Sequence, residues 1–275
     1  MALPYAEVIG DPIAQSKSPL IHKYWLERCG IEGGYRATRV AAAELPDYIA
    51  SRRGDPDWRG CNVTIPHKEK VIPLLDRLDP SAEAVGAVNC IVAEGGELTG
   101  HNTDIAGVAA ALSGVELEDR KAAIVGAGGA ARAAIHYLRE CDARSIALLV
   151  RDPAKAASLQ AIDPARIQAW PLAEADEALG SAAAIVNASP MGMTGAAAMS
   201  EELLEAIRRH ADGAALFDMV YNPLQTLFLE CAARHGGTPV DGLTMLIGQA
   251  AGAFRLFFGE EPPPAHGELR ATLAG

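Results

Sequence analysis

The stretch Gly126-Ala127-Gly128-Gly129-Ala130-Ala131 constrains the fold more than any other part of the chain. It places G-x-G-x-x-A spacing between a strand-like run, Ala122 to Val125, and a helical one, Ala130 to Cys141. That context separates a dinucleotide-binding turn from an ordinary glycine-rich loop. Gly126 permits the tight turn, Gly128 lets the backbone approach a pyrophosphate, and Ala131 is small enough for the helix to pack on the strand. The free N–H groups at the helix start then face the phosphates, which makes Gly126, Ala127, Gly128, Gly129 and Ala130 candidate cofactor ligands.

The pattern downstream supports a parallel sheet. After the turn come a strand Ser145 to Val150, a helix Pro153 to Gln160, a strand Ala183 to Asn187 and a strand Ala214 to Met219. Such alternation builds βαβ units with helices on both sheet faces. Before about Asp104, short β-rich runs (Val8-Ile9, Gly60 to Ile65, Val88 to Val92) alternate with helical stretches such as Leu20 to Cys29. An apolar helix over Leu243 to Phe258 follows Asp241, and the Pro-rich polar tail after it is expected to be the least ordered part.

Composition narrows the partners. With 275 residues and 49% hydrophobic residues the chain has material for one large domain or two modest ones. A formal net charge of -11 repels nucleic-acid phosphates and anionic lipid, so neither is an expected partner, and an anionic ligand has to be held by local basic groups. The five cysteines are scattered without a Cys-x-x-Cys pair and read as small buried residues. The start, Met1-Ala2-Leu3-Pro4-Tyr5-Ala6-Glu7, lacks a basic segment followed by an apolar run, and a cytoplasmic location is expected. The seven histidines (His22, His67, His101, His136, His210, His235, His266) include no metal-binding spacing, so no metal is expected.

Two positions carry charge where local rules do not ask for it. The second strand of the cofactor region ends in Val150-Arg151-Asp152-Pro153, where NAD-specific folds place an acidic ribose partner. Asp152 reads as a helix N-cap before Pro153, which leaves Arg151, with Lys155, to meet a 2′-phosphate. NADP is the favoured cofactor, with NAD as the alternative. In Gly60-Cys61-Asn62-Val63-Thr64-Ile65-Pro66-His67-Lys68, Pro66 is expected to start a helix and Lys68 to fall in its first turn. A cation there costs about 0.3–1 kcal/mol against the helix dipole. A local rule broken without visible compensation marks either a functional site or a solvated surface lysine.

Read in order, Ser16-Lys17-Ser18-Pro19, Asn62-Val63-Thr64 with Lys68, Gly86-Ala87-Val88-Asn89, Asn102-Thr103-Asp104, the glycine turn, Asn187-Ala188-Ser189-Pro190-Met191-Gly192-Met193, Asp218-Met219-Val220-Tyr221-Asn222-Pro223 and Asp241-Gly242-Leu243 leading to Gln249 resemble the shikimate dehydrogenase family, with the quinate/shikimate dehydrogenases as nearest relatives. The resemblance runs over essentially the whole chain. It implies an α/β fold with an N-terminal α/β substrate domain over residues 1–104, completed by 241–275, and a Rossmann-type doubly wound parallel-sheet domain over 105–240, with the active site in the cleft between them. It implies NADP-dependent, reversible reduction of 3-dehydroshikimate to shikimate in aromatic amino-acid (chorismate) biosynthesis. Lys68 and Asp104 match the catalytic pair. Ser16, Ser18, Asn62, Thr64, Asn89, Tyr221 and Gln249, together with that pair, match the substrate-binding set. Arg151, Lys155, Asn187, Ser189, Met219 and Gly242 join the glycine turn as cofactor-binding positions.

Hydroxyls and amides suit a ring with three oxygen substituents, because both can donate and accept. NADP-using members commonly read Asn-Arg-Thr where this chain has Val150-Arg151-Asp152, and have Arg where it has Lys155. A lysine cannot reproduce the arginine fork, so weaker NADP discrimination is expected. The alternatives are an NAD-using quinate/shikimate dehydrogenase and a catalytically silent sensor of a shikimate-like metabolite. Small-molecule substrate is the expected partner, with the chain a monomer or a homodimer.

Overall fold

The computed structural model describes residues 3–264 and 267–274. Met1 and Ala2 of the amino-terminal segment, His266 among the histidines, and Gly275 at the end of the expected substrate domain lie outside the described residues. The chain divides into two compact units, one of residues up to Gly107 with those from Leu246 onward, the other Val108–Met245.

The first unit contains β1 (Tyr5–Gly10), α1 (Ser18–Cys29), β2 (Gly34–Arg39), α2 (Leu45–Arg52), β3 (Trp58–Val63), β4 (Arg77–Leu78), α3 (Pro80–Val85), β5 (Cys90–Glu94), β6 (Glu97–His101) and the start of α4 (Asp104–Leu112). Its six-stranded sheet has the order β2-β1-β3-β5-β6-β4. β1 pairs parallel to both β2 and β3, as the crossover helices α1 and α2 require, while β5 runs antiparallel to β3 and to β6. The pairing of β1 with β3 shifts register where Tyr5 faces Trp58 and Ala6 faces Gly60. Gly60 sits at that bulge with φ 144°, and a Cβ on it would lie 2.0 Å from the Ile91 carbonyl oxygen. One sheet face carries Ile9, Trp58, Val63 and Ile91 against Leu45 and Ile49 of α2.

The second unit is a six-stranded sheet of β7 (Lys121–Val125), β8 (Ser145–Val150), β9 (Ile167–Pro171), β10 (Ala182–Asn187), β11 (Ala215–Asp218) and β12 (Thr238–Val240), in the order β12-β11-β10-β7-β8-β9. Every pairing is parallel. The chain runs outward from β7 to β9, returns to β10 beside β7, and runs outward again to β12, which is the doubly wound dinucleotide-binding order. β8 and β10 read as near-continuous apolar runs because helices cover both faces, and five of the six β8 residues and all six of β10 are buried. The connections include α5 (Gly129–Glu140), α6 (Ala157–Gln160), α7 (Ala175–Leu179), α8 (Glu201–His210) and α9 (Leu227–Arg234). α8 is locally specified: the Ser200 side chain caps it from the Leu203 N–H, with Glu201 and Glu202 in its first turn and Arg208, Arg209 and His210 in its last. α10 (Gly242–Phe258) and α11 (Gly267–Ala274) complete the chain.

Three expectations need correction. Pro66 does not start a helix: it follows a cis peptide bond, and residues from Ile65 to Val71 form successive turns before a 3-10 turn, Ile72–Leu74. The Lys68 carbonyl accepts from the Val88 N–H at 2.8 Å, so it is withdrawn from a helical ladder, and Pro73 has no N–H to extend one. Lys68 is therefore not opposed to a helix dipole. The helix expected over 153–160 is split into a 3-10 turn, Pro153–Ala156, and α6, because the Lys155 N–H bonds the Asp152 carbonyl three residues back. Among the described residues of the tail, Gly267–Ala274 form α11, whose Leu269 and Leu273 are completely buried. The Lys17 ammonium donates to the Leu273 carbonyl and Arg28 pairs with Glu268, so α1 and the loop before it hold this helix.

On the other sheet face, His22 is fully buried with neither ring nitrogen hydrogen-bonded. Its ring stacks on Tyr35 at 3.9 Å and 1°, with Trp25, Phe254 and Phe257 around it. Burial pushes its pKa from the usual 6.5 down to about 3. The folded chain cannot take the proton that the unfolded chain accepts below pH 6.5. Stability from this group is therefore complete above pH 6.5 and is lost progressively towards pH 3. From pH 7 to pH 5 the loss should approach about 2 kcal/mol, the worth of some 1.5 pKa units. Urea midpoints of wild type and His22→Phe followed over that range should diverge, with wild type falling faster. Parallel curves would show that His22 takes up a proton in the folded state.

Candidate active site

The turn after β6 and the loop before β5 form one hydrogen-bonded block. Lys68 Nζ donates to Asp104 Oδ2 at 2.5 Å, and Asn89 Nδ2 donates to Asp104 Oδ1 at 2.8 Å. The same Asn89 amide nitrogen bonds Thr103 Oγ1 at 3.0 Å, while Asn89 Oδ1 accepts from the Thr103 N–H at 2.7 Å. Asn102 closes the block: its Nδ2 donates to the Ala87 carbonyl at 2.8 Å and its Oδ1 accepts from the Asp104 N–H at 3.1 Å. Asp104 is only 4% exposed, so two donors hold both of its oxygens away from bulk water. Lys68 keeps 16% of its side chain exposed, enough for the ammonium to serve a second partner. Gln249 on α10 is buried beside this block, its Oε1 3.5 Å from Thr103 Oγ1 and its Nε2 donating to the Leu246 carbonyl.

Asn62, at the end of β3, belongs to the same face. Its Nδ2 lies 3.3 Å from the Asn89 carbonyl, which also accepts from the Val63 N–H at 2.7 Å. Its Oδ1 accepts a 2.6 Å bond from the Tyr35 hydroxyl on β2. Ser18 is buried, and Ser16 Oγ accepts from its N–H at 3.3 Å. Burial raises the Tyr35 phenol well above its ordinary range, so it is a neutral O–H. Thr64 follows β3 closely enough that a Cβ on Gly10 would lie 2.6 Å from its methyl group, and its N–H bonds the Ile9 carbonyl.

In the second unit the glycine turn lies where the winding of the sheet reverses. Gly126 has φ 113°, and a Cβ there would meet the backbone of Ala188 and Ser189 at 3.0 Å. Gly128 caps α5, and a Cβ on it would meet nothing within 4 Å. A crowded glycine beside β10 and an open one over free helix N–H groups are what a pyrophosphate requires. Ala131 is fully buried under the helix. At the end of β8, Arg151 is exposed, Asp152 caps from the Ala154 N–H at 3.1 Å, and Lys155 stands 3.9 Å from Asp152. A dinucleotide thus fits this unit, with Arg151 the better-placed basic group.

Asn187 and Ser189 join the ends of two strands through hydrogen bonds. Asn187 is completely buried: its Nδ2 donates to Asp218 Oδ1 and the Met191 carbonyl, and its Oδ1 accepts from the Ser189 N–H and hydroxyl. Asp218 also accepts from Thr226 Oγ1 at 2.6 Å and the Val220 N–H at 3.0 Å, while burial raises its pKa. The group ties the ends of β10 and β11 together. Met219 and Tyr221 follow on the partly buried loop after β11, and burial raises the Tyr221 phenol. A Cβ on Gly242 would meet the Met219 and Val220 carbonyl oxygens at 2.7 and 2.6 Å, so α10 starts hard against that loop.

Lys68, Asp104, Asn89, Asn62, Gln249 and the two serines therefore gather in the first unit, whereas Tyr221 belongs to the second. Sequence reasoning missed the parts played by Tyr35, Thr103 and Asn102. Thr103 and Asn102 lay inside a quoted motif, but Tyr35 gave no signal, since β2 reads as a polar segment. Cys61, Cys90 and Cys231 are buried, while Cys29 and Cys141 are partly exposed; all five are free thiols. Among the described residues, no cluster of His, Cys, Asp or Glu has the makings of a metal site and no helix is long and apolar enough to cross a membrane.

Family comparisons agree with this geometry. Residues 8–91 match the family described as the shikimate dehydrogenase substrate binding domain, 108–221 match shikimate / quinate 5-dehydrogenase, and 242–266 match the shikimate 5'-dehydrogenase C-terminal domain. The chain is 48% identical to the shikimate dehydrogenase (NADP(+)) of Sphingopyxis alaskensis, over 99% of this chain and 97% of that one. It is 40% identical to the shikimate dehydrogenase (NADP(+)) of Methylobacterium radiotolerans, over 100% and 99% of the two chains. The crystal structure of shikimate 5-dehydrogenase from Thermus thermophilus in complex with NADP(H) and shikimate superposes with a TM-score of 0.83 at 34% identity, covering 99% of this chain and 98% of that one. With its glycine turn, its Lys68–Asp104 pair and its full-length relatives in agreement, the chain belongs to the shikimate dehydrogenase family.

Proposed function

We propose that the chain is an NADP-dependent shikimate dehydrogenase that interconverts 3-dehydroshikimate and shikimate, with Lys68 and Asp104 as its catalytic pair. The observation that carries this reading is the Lys68–Asp104–Asn89 block, a buried carboxylate held from both sides next to a partly open ammonium. The residues up to Gly107, with those from Leu246 onward, are the substrate-binding unit, and Val108–Met245 binds the dinucleotide. A cytoplasmic location and small-molecule partners go with this assignment.

When bound, the reduced nicotinamide supplies the hydride that the ring carbonyl carbon receives. The chain itself handles the proton. Lys68 carries an ammonium proton to the developing alkoxide, and its charge stabilises that oxygen as it forms. In the oxidative direction the neutral amine takes the hydroxyl proton back. Asp104 aligns the amine and accepts from a ring hydroxyl, while Asn89 and the Asn102 turn keep the carboxylate from rotating. Asn62, Ser16, Ser18, Thr64 and Gln249 supply neutral donors and acceptors for the remaining oxygens, and Tyr221 is assigned to the ring from the second unit. Arg151 meets the 2′-phosphate and Lys155 adds a more distant charge. Asn187 and Ser189 belong to the cofactor-binding set, and their mutual hydrogen bond shapes the loop after β10.

Lys68→Ala should lower kcat by about 10²–10⁴-fold, the usual worth of general acid–base help, with a much smaller change in shikimate KM. Because Asp104 acts on the same proton, Lys68→Ala/Asp104→Asn should lose far less than the product of the single losses. Near-normal turnover in Lys68→Ala would remove the assignment.

Arg151→Ala should reduce kcat/KM for NADP on the order of 10- to 100-fold, the range for a hydrogen bond to a charged group, and leave that for NAD nearly unchanged. As Arg151 is exposed, the preference for NADP should also shrink as salt is raised. Steady-state rates with both cofactors at two ionic strengths test this, and equal losses for both would assign the 2′-phosphate to another group.

A further inference from the structure

Tyr35 hydrogen-bonds a residue of the substrate-binding set, Asn62, without belonging to that set. A tyrosine hydroxyl has a single proton. Here that proton goes to Asn62 Oδ1 at 2.6 Å. The amide of Asn62 is settled by that bond. With Oδ1 engaged, only Nδ2 is left, one N–H near the Asn89 carbonyl at 3.3 Å and the other able to donate to a ligand.

The phenol is held to this task by packing. Tyr35 pairs with Ala6 and Asn62 with Val8 along the parallel strands, which puts both side chains on one sheet face. His22 stacks flat on the ring at 3.9 Å and Phe257 tilts against it at 6.4 Å, so the hydroxyl cannot swing away. His22 offers it no competing hydrogen bond, as neither of its nitrogens has a partner.

We infer that Tyr35 is a positioning residue that fixes hydrogen-bond polarity at the substrate ring, making Asn62 a donor. This rests on the assignment of Asn62 to substrate binding made above. A ring substituent that must accept at Asn62 is selected before the residue touches the ligand.

Tyr35→Phe removes the hydroxyl and keeps the stacked ring. It should raise shikimate KM roughly three- to tenfold, the scale of one or two modest hydrogen bonds, with kcat and NADP KM within about twofold of wild type. In an Asn62→Ala background the same change should add less than about twofold, because the residue it acts through is gone. Against shikimate analogues that each lack one ring hydroxyl, Tyr35→Phe should erase discrimination for one or two hydroxyls only. If Asn62→Ala raises shikimate KM but Tyr35→Phe does not, the inference is overturned and the site assignment stands. If Asn62→Ala leaves shikimate KM unchanged, the assignment itself fails and takes the inference with it. Equal losses against every analogue, or a fall in kcat together with a higher NADP KM, would mean a merely structural tyrosine.

Discussion

A carboxylate that is 4% exposed sets the terms for the rest of the first unit. Removing a charge of this kind from water costs several kcal/mol unless donors replace the solvent. Asp104 recovers that through Lys68 on one oxygen and Asn89 on the other. Both donors have to be held in place in turn. Asn89 is fixed by Thr103, and the Lys68 turn is pinned by the Val88 N–H to the loop that carries Asn89. The order of segments therefore follows from the carboxylate: two loops distant in sequence are joined side by side because each supplies a donor that holds Asp104 in place. A pair that existed only for stability could be replaced by apolar side chains at little loss. The part of Lys68 left open to a ligand is what such a replacement would forfeit.

What the sequence disclosed divides by range. The glycine turn is legible because its logic is local: strand, turn and helix are adjacent, and Gly126 and Gly128 differ in what surrounds them for reasons within a few residues. The runs Ser145 to Val150 and Ala183 to Asn187 are legible because a strand buried on both faces has to be apolar throughout. The Lys68 segment misled for the opposite reason. Pro66 is a good first residue of a helix, and nothing nearby reveals that Val88 takes the Lys68 carbonyl. The tail misled too, since its prolines and polar residues hide Leu269 and Leu273, whose burial depends on α1. The helix-dipole reason for singling out Lys68 fails, which leaves the family resemblance as the ground for it. Tyr35 lay beyond either, because its meaning arises only from the register that sets β2 and β3 on either side of β1.

The second unit solves a different problem, bringing backbone close to backbone. Gly126 crowds the Ala188–Ser189 peptide and Gly242 crowds the Met219 and Val220 carbonyls, so no side chain larger than hydrogen fits at either point. The loops after β10 and β11 are then locked by Asn187 and Asp218, whose polar atoms are spent on each other and on neighbouring backbone. Raising the Asp218 pKa by burial does no harm here, because the group is asked to hold a loop and not to bind a ligand. Polar residues in a motif are thus of two kinds, and exposure of their last free donor or acceptor separates them.

The same distinction bears on where selectivity resides. Of the groups proposed to bind the ring, Ser18, Asn62, Asn89, Asp104 and Gln249 are buried, so a ligand with the wrong donor there would meet an unsatisfied partner, a penalty of about 1–3 kcal/mol per group. The groups proposed for the 2′-phosphate are Arg151, which is exposed, and Lys155, whose side chain is 86% exposed. Exposed charges are screened by salt and spend side-chain entropy to hold one geometry. In a chain of net charge -11 those two cations also work against the field of the whole molecule. Selection should therefore be strict at the ring and looser at the ribose, because the first is written in buried hydrogen bonds and the second in surface charge.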